Sequence, residues 1–188
     1  MSAVPSVRFL LVAATLVAAL SALRAEAIEP KLSDPAPARK NVAVALVAPL
    51  DAWDADLAKA GEPLATALVK KLQTRTGIQA LAGLDRTRPA GVVVQTDGIG
   101  LAPVAFVPVT DAAAFLQAIA PLIGEATAGE ALPSGQAAEV WKIGRREWTG
   151  YVRRRGDWLY AAQTLALLED GLLPQLETIL PAPRAAAE

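Results

Sequence analysis

Residues 101–124 constrain the fold more than any other stretch, because they predict a strand, an abrupt turn and a helix that folds back on the strand. Residues 102–109 carry no charge and are rich in Val and Phe, as expected of a buried strand. Thr110 and Asp111 then offer oxygens that can cap a helix. Pro121 is expected to kink or end that helix, and Gly124 to cap it.

The predicted helix has one apolar stripe, which would pack on the preceding strand. The stripe consists of Phe115, Ala118, Ile119 and Leu122. This strand and helix define part of the fold, but they do not indicate a catalytic or ligand-binding site.

The first 27 residues show the pattern of a cleaved secretory signal. Arg8 precedes the uncharged residues 9–23, and Ala25-Glu26-Ala27 supplies the small-x-small sequence that signal peptidase recognises. Residues 9–23 would rise only about 22 Å as a helix, which is short of the roughly 30 Å hydrocarbon core of a bilayer. A signal peptide is therefore favoured over an anchor, and we expect a protein exported to the periplasm or the cell exterior.

After the signal peptide, the pattern predicts a single folded unit. Residues 28–40 form a Pro-rich leader, residues 41–180 a single α+β domain, and residues 181–188 a disordered tail. The predicted element order is β, α, β, β, α, β, β, β, α. Short links between strands favour a mostly antiparallel sheet of about six strands with helices packed on one face. No stretch after the signal peptide is long and apolar enough to span a bilayer.

Two segments near the C-terminus predict a β-hairpin. Residues 147–154 and 157–163 alternate between apolar and polar positions, and a turn at Arg155-Gly156 would join them. In this register Val152 and Leu159 face the core. Residues 164–173 follow at helical spacing, with Thr164 as the cap.

The other face of the hairpin is a candidate ligand surface for an anionic or carbohydrate polymer. Its residues are Tyr151, Arg153, Trp158 and Tyr160. Aromatic rings can stack on sugars, and arginines can hold anions or pack over the rings. The alternative is that the aromatic side chains fill ordinary strand positions and the arginines cover them.

The amino-acid composition excludes several catalytic mechanisms. The sequence has no His and no Cys, which excludes Ser-His-Asp and Cys-His nucleophiles and the commonest zinc ligands. A carboxylate-dependent hydrolase remains as an alternative, with Glu139, Glu147 and Asp157 near aromatic residues. The formal net charge of −1 does not suggest a nucleic-acid partner.

Acidic residues at positions 51, 54 and 56 are expected to cap a short helix. They lack the spacing and the glycine of an EF-hand loop, so we expect no calcium site. A second helical segment is predicted to begin at Pro63. Neither a metal nor a cofactor is expected anywhere in the chain.

Three short motifs resemble those of a family of uncharacterised secreted bacterial proteins abundant in planctomycetes. They are Leu-Asp-x-x-x-Pro at 84–89, Pro-Val-x-Asp-x-x-x-Phe at 108–115 and Gly-x-Trp-x-Tyr at 156–160. The resemblance extends over roughly residues 42–172. Members of that family are often longer, with what looks like a second copy of the domain, whereas this chain would hold one. The resemblance implies secretion but assigns no catalytic residue.

Together these features predict an exported, non-catalytic envelope protein with a structural or protein-interaction role. Its partner would be another envelope protein or a polymer. The two alternatives are a polymer-binding module that uses the hairpin and a carboxylate-dependent hydrolase.

Overall fold

A computed structural model describes most of the domain, and its core is one antiparallel sheet. Seven strands lie in the order β1-β2-β3-β7-β6-β5-β4, and every neighbouring pair is antiparallel. The residues described are 39–52, 81–97, 100–135, 137–145, 148–176 and 180. The strands are β1 Lys40–Val47, β2 Ala90–Thr96, β3 Leu101–Pro108, β4 Thr127–Ala128, β5 Glu139–Arg145, β6 Trp148–Arg155 and β7 Trp158–Ala162. The predicted mostly antiparallel sheet is confirmed.

The finer prediction of about six strands with helices on one face fits only roughly. The seventh strand is β4, which has two residues in a Gly- and Pro-rich stretch and gave no strand pattern. Helix α1, Ala112–Ile123, and a 3₁₀ helix, Leu165–Leu168, pack on opposite faces of the sheet.

Several predicted segments lie outside the described residues. They include the signal peptide, nearly all of the leader, the C-terminal tail and the second helical segment from Pro63. Of the short helix expected after β1, residues 50–52 are described, and they are helical.

Two runs of neighbouring strands build the sheet. Strands β1, β2 and β3 follow one another along the chain, as do β4, β5, β6 and β7. The predicted turn between β2 and β3 is confirmed by Gly100, whose N–H donates to Asp97 Oδ1 at 2.9 Å. The two runs meet where β3 pairs with β7, with Phe106 opposite Tyr160.

Helix α1 begins and ends where its capping residues predict. The Asp111 carboxylate accepts a hydrogen bond from the Ala114 N–H at 3.0 Å, which satisfies one of the free donors of the first turn. At the other end Gly124 has a φ of 79°, in the left-handed region that glycine adopts readily. Pro121 does not end the helix, which continues two residues further to Ile123.

Both faces of the central strands are covered. On the face here called the helix face, α1 packs against strands β3, β5, β6 and β7. On the opposite face, called the loop face, the chain after β7 packs back on the sheet. The buried residues of the helix face are Val109, Ala112, Phe115, Leu116, Ile123, Ile143, Val152 and Leu159. Those of the loop face are Val93, Val104, Phe106, Leu132, Val140, Trp158, Tyr160, Ala162, Leu167, Leu168, Leu173, Leu176 and Leu180.

Candidate functional site

The hairpin β6–β7 carries the residues predicted to form a ligand surface. Its turn is Gly156-Asp157, so Arg155 pairs with Trp158 and Arg153 with Tyr160. Gly156 has a φ of 58°, which suits a tight two-residue hairpin turn. The predicted register, with a turn at Arg155-Gly156, is therefore wrong by two residues. Because side chains alternate with a period of two, this shift leaves every side chain on its predicted face.

Trp158 is completely buried on the loop face and is not part of an open surface. Its ring packs edge-on against Phe106, with 5.7 Å between ring centroids. The guanidinium of Arg88 lies 4.3 Å from the Trp158 ring centroid, in cation–π geometry. Arg88 also forms an ion pair with Asp157 at 3.4 Å, which links Arg88 to the turn of the hairpin.

Arg153 is also buried, with 5% of its surface exposed, and its guanidinium points into the chain that follows β7. One terminal nitrogen donates to the Leu168 carbonyl at 2.5 Å, and the other donates to Asp170 Oδ1 at 2.7 Å. A charge that is paired and hydrogen-bonded in this way can be buried without a ligand.

Three more side chains of the sheet hold the same segment by its backbone carbonyls. Tyr160 Oη donates to Pro174 O at 3.2 Å, and Arg155 donates to Leu173 O at 3.3 Å. Gln95 Nε2 donates to Leu167 O at 3.3 Å and to Leu172 O at 3.1 Å. We name this set of donors, Gln95, Arg153, Arg155 and Tyr160, the carbonyl anchor.

Sequence reasoning did not identify Gln95 as part of this arrangement. The available signal was its position in GVVVQT, where it occupies the same face as Val93 in an otherwise apolar strand. A polar side chain at a core-facing position needs a buried partner, and the carbonyls of the segment after β7 provide it.

Most residues of the predicted ligand surface are buried in the structure. Tyr160 and Trp158 are fully buried, Arg153 is nearly so, and Tyr151 is half-buried against the loop-face core. The arrangement matches the alternative in which the aromatic residues fill core positions. The chain segment after β7 packs on this face and is held by Gln95, Tyr160 and two arginine side chains.

The carboxylates considered for hydrolysis are paired with arginines where the structure describes them. Glu139 pairs with Arg154 at 3.3 Å across β5 and β6, and Asp157 pairs with Arg88. Both carboxylates are exposed, as is usual for charged residues on a solvated face. Glu147 lies outside the described residues.

The acidic residues after β1 were expected to cap a helix. Asp51 pairs with Arg86 at 3.2 Å, whereas Asp54 and Asp56 lie outside the described residues. Within the described part of the chain, no group of three acidic residues is placed to hold a metal ion.

The Leu-Asp-x-x-x-Pro motif has a structural role next to helix α1. The carbonyl of Gly83 accepts hydrogen bonds from the Thr110 and Asp111 N–H groups, at 2.8 and 3.2 Å. Gly83 has a φ of 76°, and a Cβ atom there would lie 2.1 Å from Asp111 O. Asp85 closes the loop by accepting from Thr87. Gly83, directly before the motif, therefore contacts the start of the helix, and the motif itself contacts the end of β3 through Asp85, whose N–H donates to Pro108 O at 3.0 Å.

Among the described residues, no helix has the length and apolar character needed to cross a bilayer.

Comparison with known proteins adds no relative to these observations. No family model matches the chain, and neither does any curated protein or solved structure. The resemblance to the secreted planctomycete-type family thus stays a prediction based on the three motifs.

Proposed function

We propose that this chain is an exported, non-catalytic protein of the bacterial envelope, with a structural or protein-interaction role. The carbonyl anchor is the observation that carries the structural, non-catalytic part of this proposal. Arg153, Trp158 and Tyr160, three of the four residues considered as a ligand surface, make internal contacts instead. They stabilise the fold.

Export is supported by the N-terminal sequence. A basic residue, an apolar run too short to span a bilayer and Ala25-Glu26-Ala27 occur in the order that signal peptidase requires. The absence of Cys from the whole sequence is compatible with an exported domain whose core is large enough to fold without disulfides.

Composition supports the non-catalytic part of the proposal and a protein partner. Without His or Cys, the chain lacks the side chains that serve most often as catalytic bases and nucleophiles. Its near-zero net charge gives no general attraction to nucleic acid. A neighbouring envelope protein is the kind of partner that this composition suits.

Processing of the N-terminus tests the export proposal. Protein recovered from the periplasm or the medium should begin at Ile28 or within a few residues of it. Ala27→Gln should block processing, since the position before the cut requires a small residue. Glu26→Gln is the matched control, because it places the same side chain at the variable position, and it should be processed normally.

The opposite result would be full-length chain held in the membrane or retained in the cytoplasm. Equal processing of the two glutamine variants would likewise reject Ala27 as the residue before the cut. N-terminal sequencing and intact-mass measurement of each cell fraction distinguish these cases.

A further inference from the structure

The two ends of the sheet are built differently, and the end formed by β1 has the properties of a pairing surface. Strand β1 has eight residues, and residues 41–50 carry no charge. Its side chains Val42, Val44 and Leu46 are 51%, 38% and 50% exposed. Among the described strands β1 has one neighbour, β2, so its outer side presents a row of backbone donors and acceptors.

The opposite end of the sheet lacks these properties. Strand β4 has only two residues, and Glu125 precedes it closely. Shortness and nearby charge are two ways in which proteins prevent unwanted pairing at sheet edges. In the described part of the chain, a long apolar edge occurs only at β1.

Backbone geometry shows which residues of β1 face outward. A Cβ atom on Gly91 would lie 2.2 Å from Ala45 O, so the Ala45 carbonyl is directed at β2. In an antiparallel pair, alternate residues direct their N–H and C=O groups to opposite sides of the strand. Val44 and Leu46 therefore direct theirs away from β2, toward the open edge.

We propose that β1 pairs with β1 of a second copy of this chain, antiparallel about a two-fold axis at Ala45, and joins the two sheets into one. This register sets Val44 of each copy opposite Leu46 of the other, so that their outward backbone groups bond and their exposed side chains pack. A two-fold axis needs a self-complementary strand, and the uncharged, apolar residues 43–47 meet that condition.

The paired part of the strand is short and uncharged in this arrangement. The two-fold axis at Ala45 pairs residues 43–47 of the two strands, because β1 ends at Val47 and residues 50–52 are helical. These residues carry no charge, so no like charges face each other across the pair.

The expected interface is small. The paired residues 43–47 span only about 17 Å, and edge pairing alone buries less than the roughly 800 Å² per partner of a standard interface. The pair should therefore be weak, with a dissociation constant of about 1 to 100 µM. The inference rests on the proposed interaction role and gives it a partner.

Sedimentation velocity across that concentration range tests the proposal. Protein from cells that express the whole reading frame, in whichever N-terminal form it is recovered, should shift from monomer to dimer. Val44→Pro removes an outward N–H that does not bond to β2, and Leu46→Lys adds a charge to the edge strand. Each substitution should raise the dissociation constant of the dimer about tenfold or more.

Leu101→Lys is the matched control. Leu101 is 72% exposed but lies on β3, which is an inner strand, so the parental dimer should persist. Amide exchange gives a local readout, because exchange at Val44 and Leu46 should slow as the concentration rises. Circular dichroism checks that each variant is folded.

A parent chain that stays monomeric at the highest concentration would overturn the proposal. So would equal loss of the dimer in Leu101→Lys, since that would indicate general apolar association. A chain cleaved at Ile28 but monomeric would reject only this inference, whereas an uncleaved cytoplasmic chain that dimerises would reject only export.

Discussion

The hairpin β6–β7 is buried on both faces, but the two faces are covered in different ways. On the helix face, Val152 and Leu159 meet the apolar side of α1, whose backbone groups are mostly satisfied within the helix. On the loop face, Arg153, Trp158 and Tyr160 meet a largely irregular segment whose carbonyls need donors. A strand that is covered by an irregular segment therefore needs polar side chains on its buried face. In the sequence, such a mixture of polar and aromatic residues resembles a binding surface.

Trp158→Ala should give the largest effect on either face. It removes a fully buried ring and its contacts with Phe106 and Arg88, which should lower the free energy of unfolding by about 3 to 5 kcal/mol. Denaturant melts measure this loss. Trp148→Ala, on the same hairpin but half-buried, is the control and should cost less. A loss below about 1 kcal/mol for Trp158→Ala would mean that the loop face opens to solvent.

Leu159→Ala tests the helix face with an apolar change alone. The cavity beneath α1 should cost about 2 to 5 kcal/mol, at the lower end if the helix moves inward. The same melts provide the measurement. If Leu159→Ala proved much more harmful than Trp158→Ala, the helix face would be the dominant core.

Arg153→Met tests whether the loop face depends on hydrogen bonds as well as packing. Methionine keeps much of the length of the side chain but leaves Leu168 O and Asp170 without their donor, which should cost about 1 to 3 kcal/mol. Arg154→Met is the neighbouring control; that side chain is exposed, so its change should stay within about 0.5 kcal/mol. Equal effects would reject the carbonyl anchor.

Chelator treatment should have the smallest effect. With neither His nor Cys in the sequence, we expect packing and hydrogen bonds to hold both faces, so EDTA should leave the melting temperature unchanged. Calorimetry with and without EDTA measures this. A drop of several degrees would point instead to an acidic metal site at Asp51, Asp54 and Asp56.

Local patterns in the sequence were sufficient to predict much of the sheet. The uncharged run before Asp111 predicted β3, and the Asp111 and Gly124 caps predicted the limits of α1. Alternation of apolar and polar residues in the hairpin predicted which side chains share a face. That depends only on whether two residues of a strand are an even or an odd number of positions apart. The turn was misplaced because Gly156 fits a two-residue turn in either position.

Long-range contacts explain what the sequence pattern missed. Residues 164–173 were predicted to form a helix capped by Thr164, but only Leu165–Leu168 are helical, as a 3₁₀ turn, and Thr164 makes no capping bond. Gln95 and Arg153 donate to carbonyls that a longer helix would use, so the segment is satisfied without one. Tyr160 is covered by this fold-back, where its hydroxyl donates to Pro174 O, and no local pattern shows that contact.

The pairing of β3 with β7 has a consequence for how the chain folds. Four strand pairs join segments that are close in sequence, whereas the β1–β2 pair closes the loop from Val47 to Ala90, and in β3–β7 Phe106 and Tyr160 are about fifty residues apart. Closing that loop costs entropy before the Phe106–Trp158 contact can repay it. The β2–β3 hairpin and the run β4 to β7 can form early as local units, and the rate of folding then depends on the steps that close the two long loops.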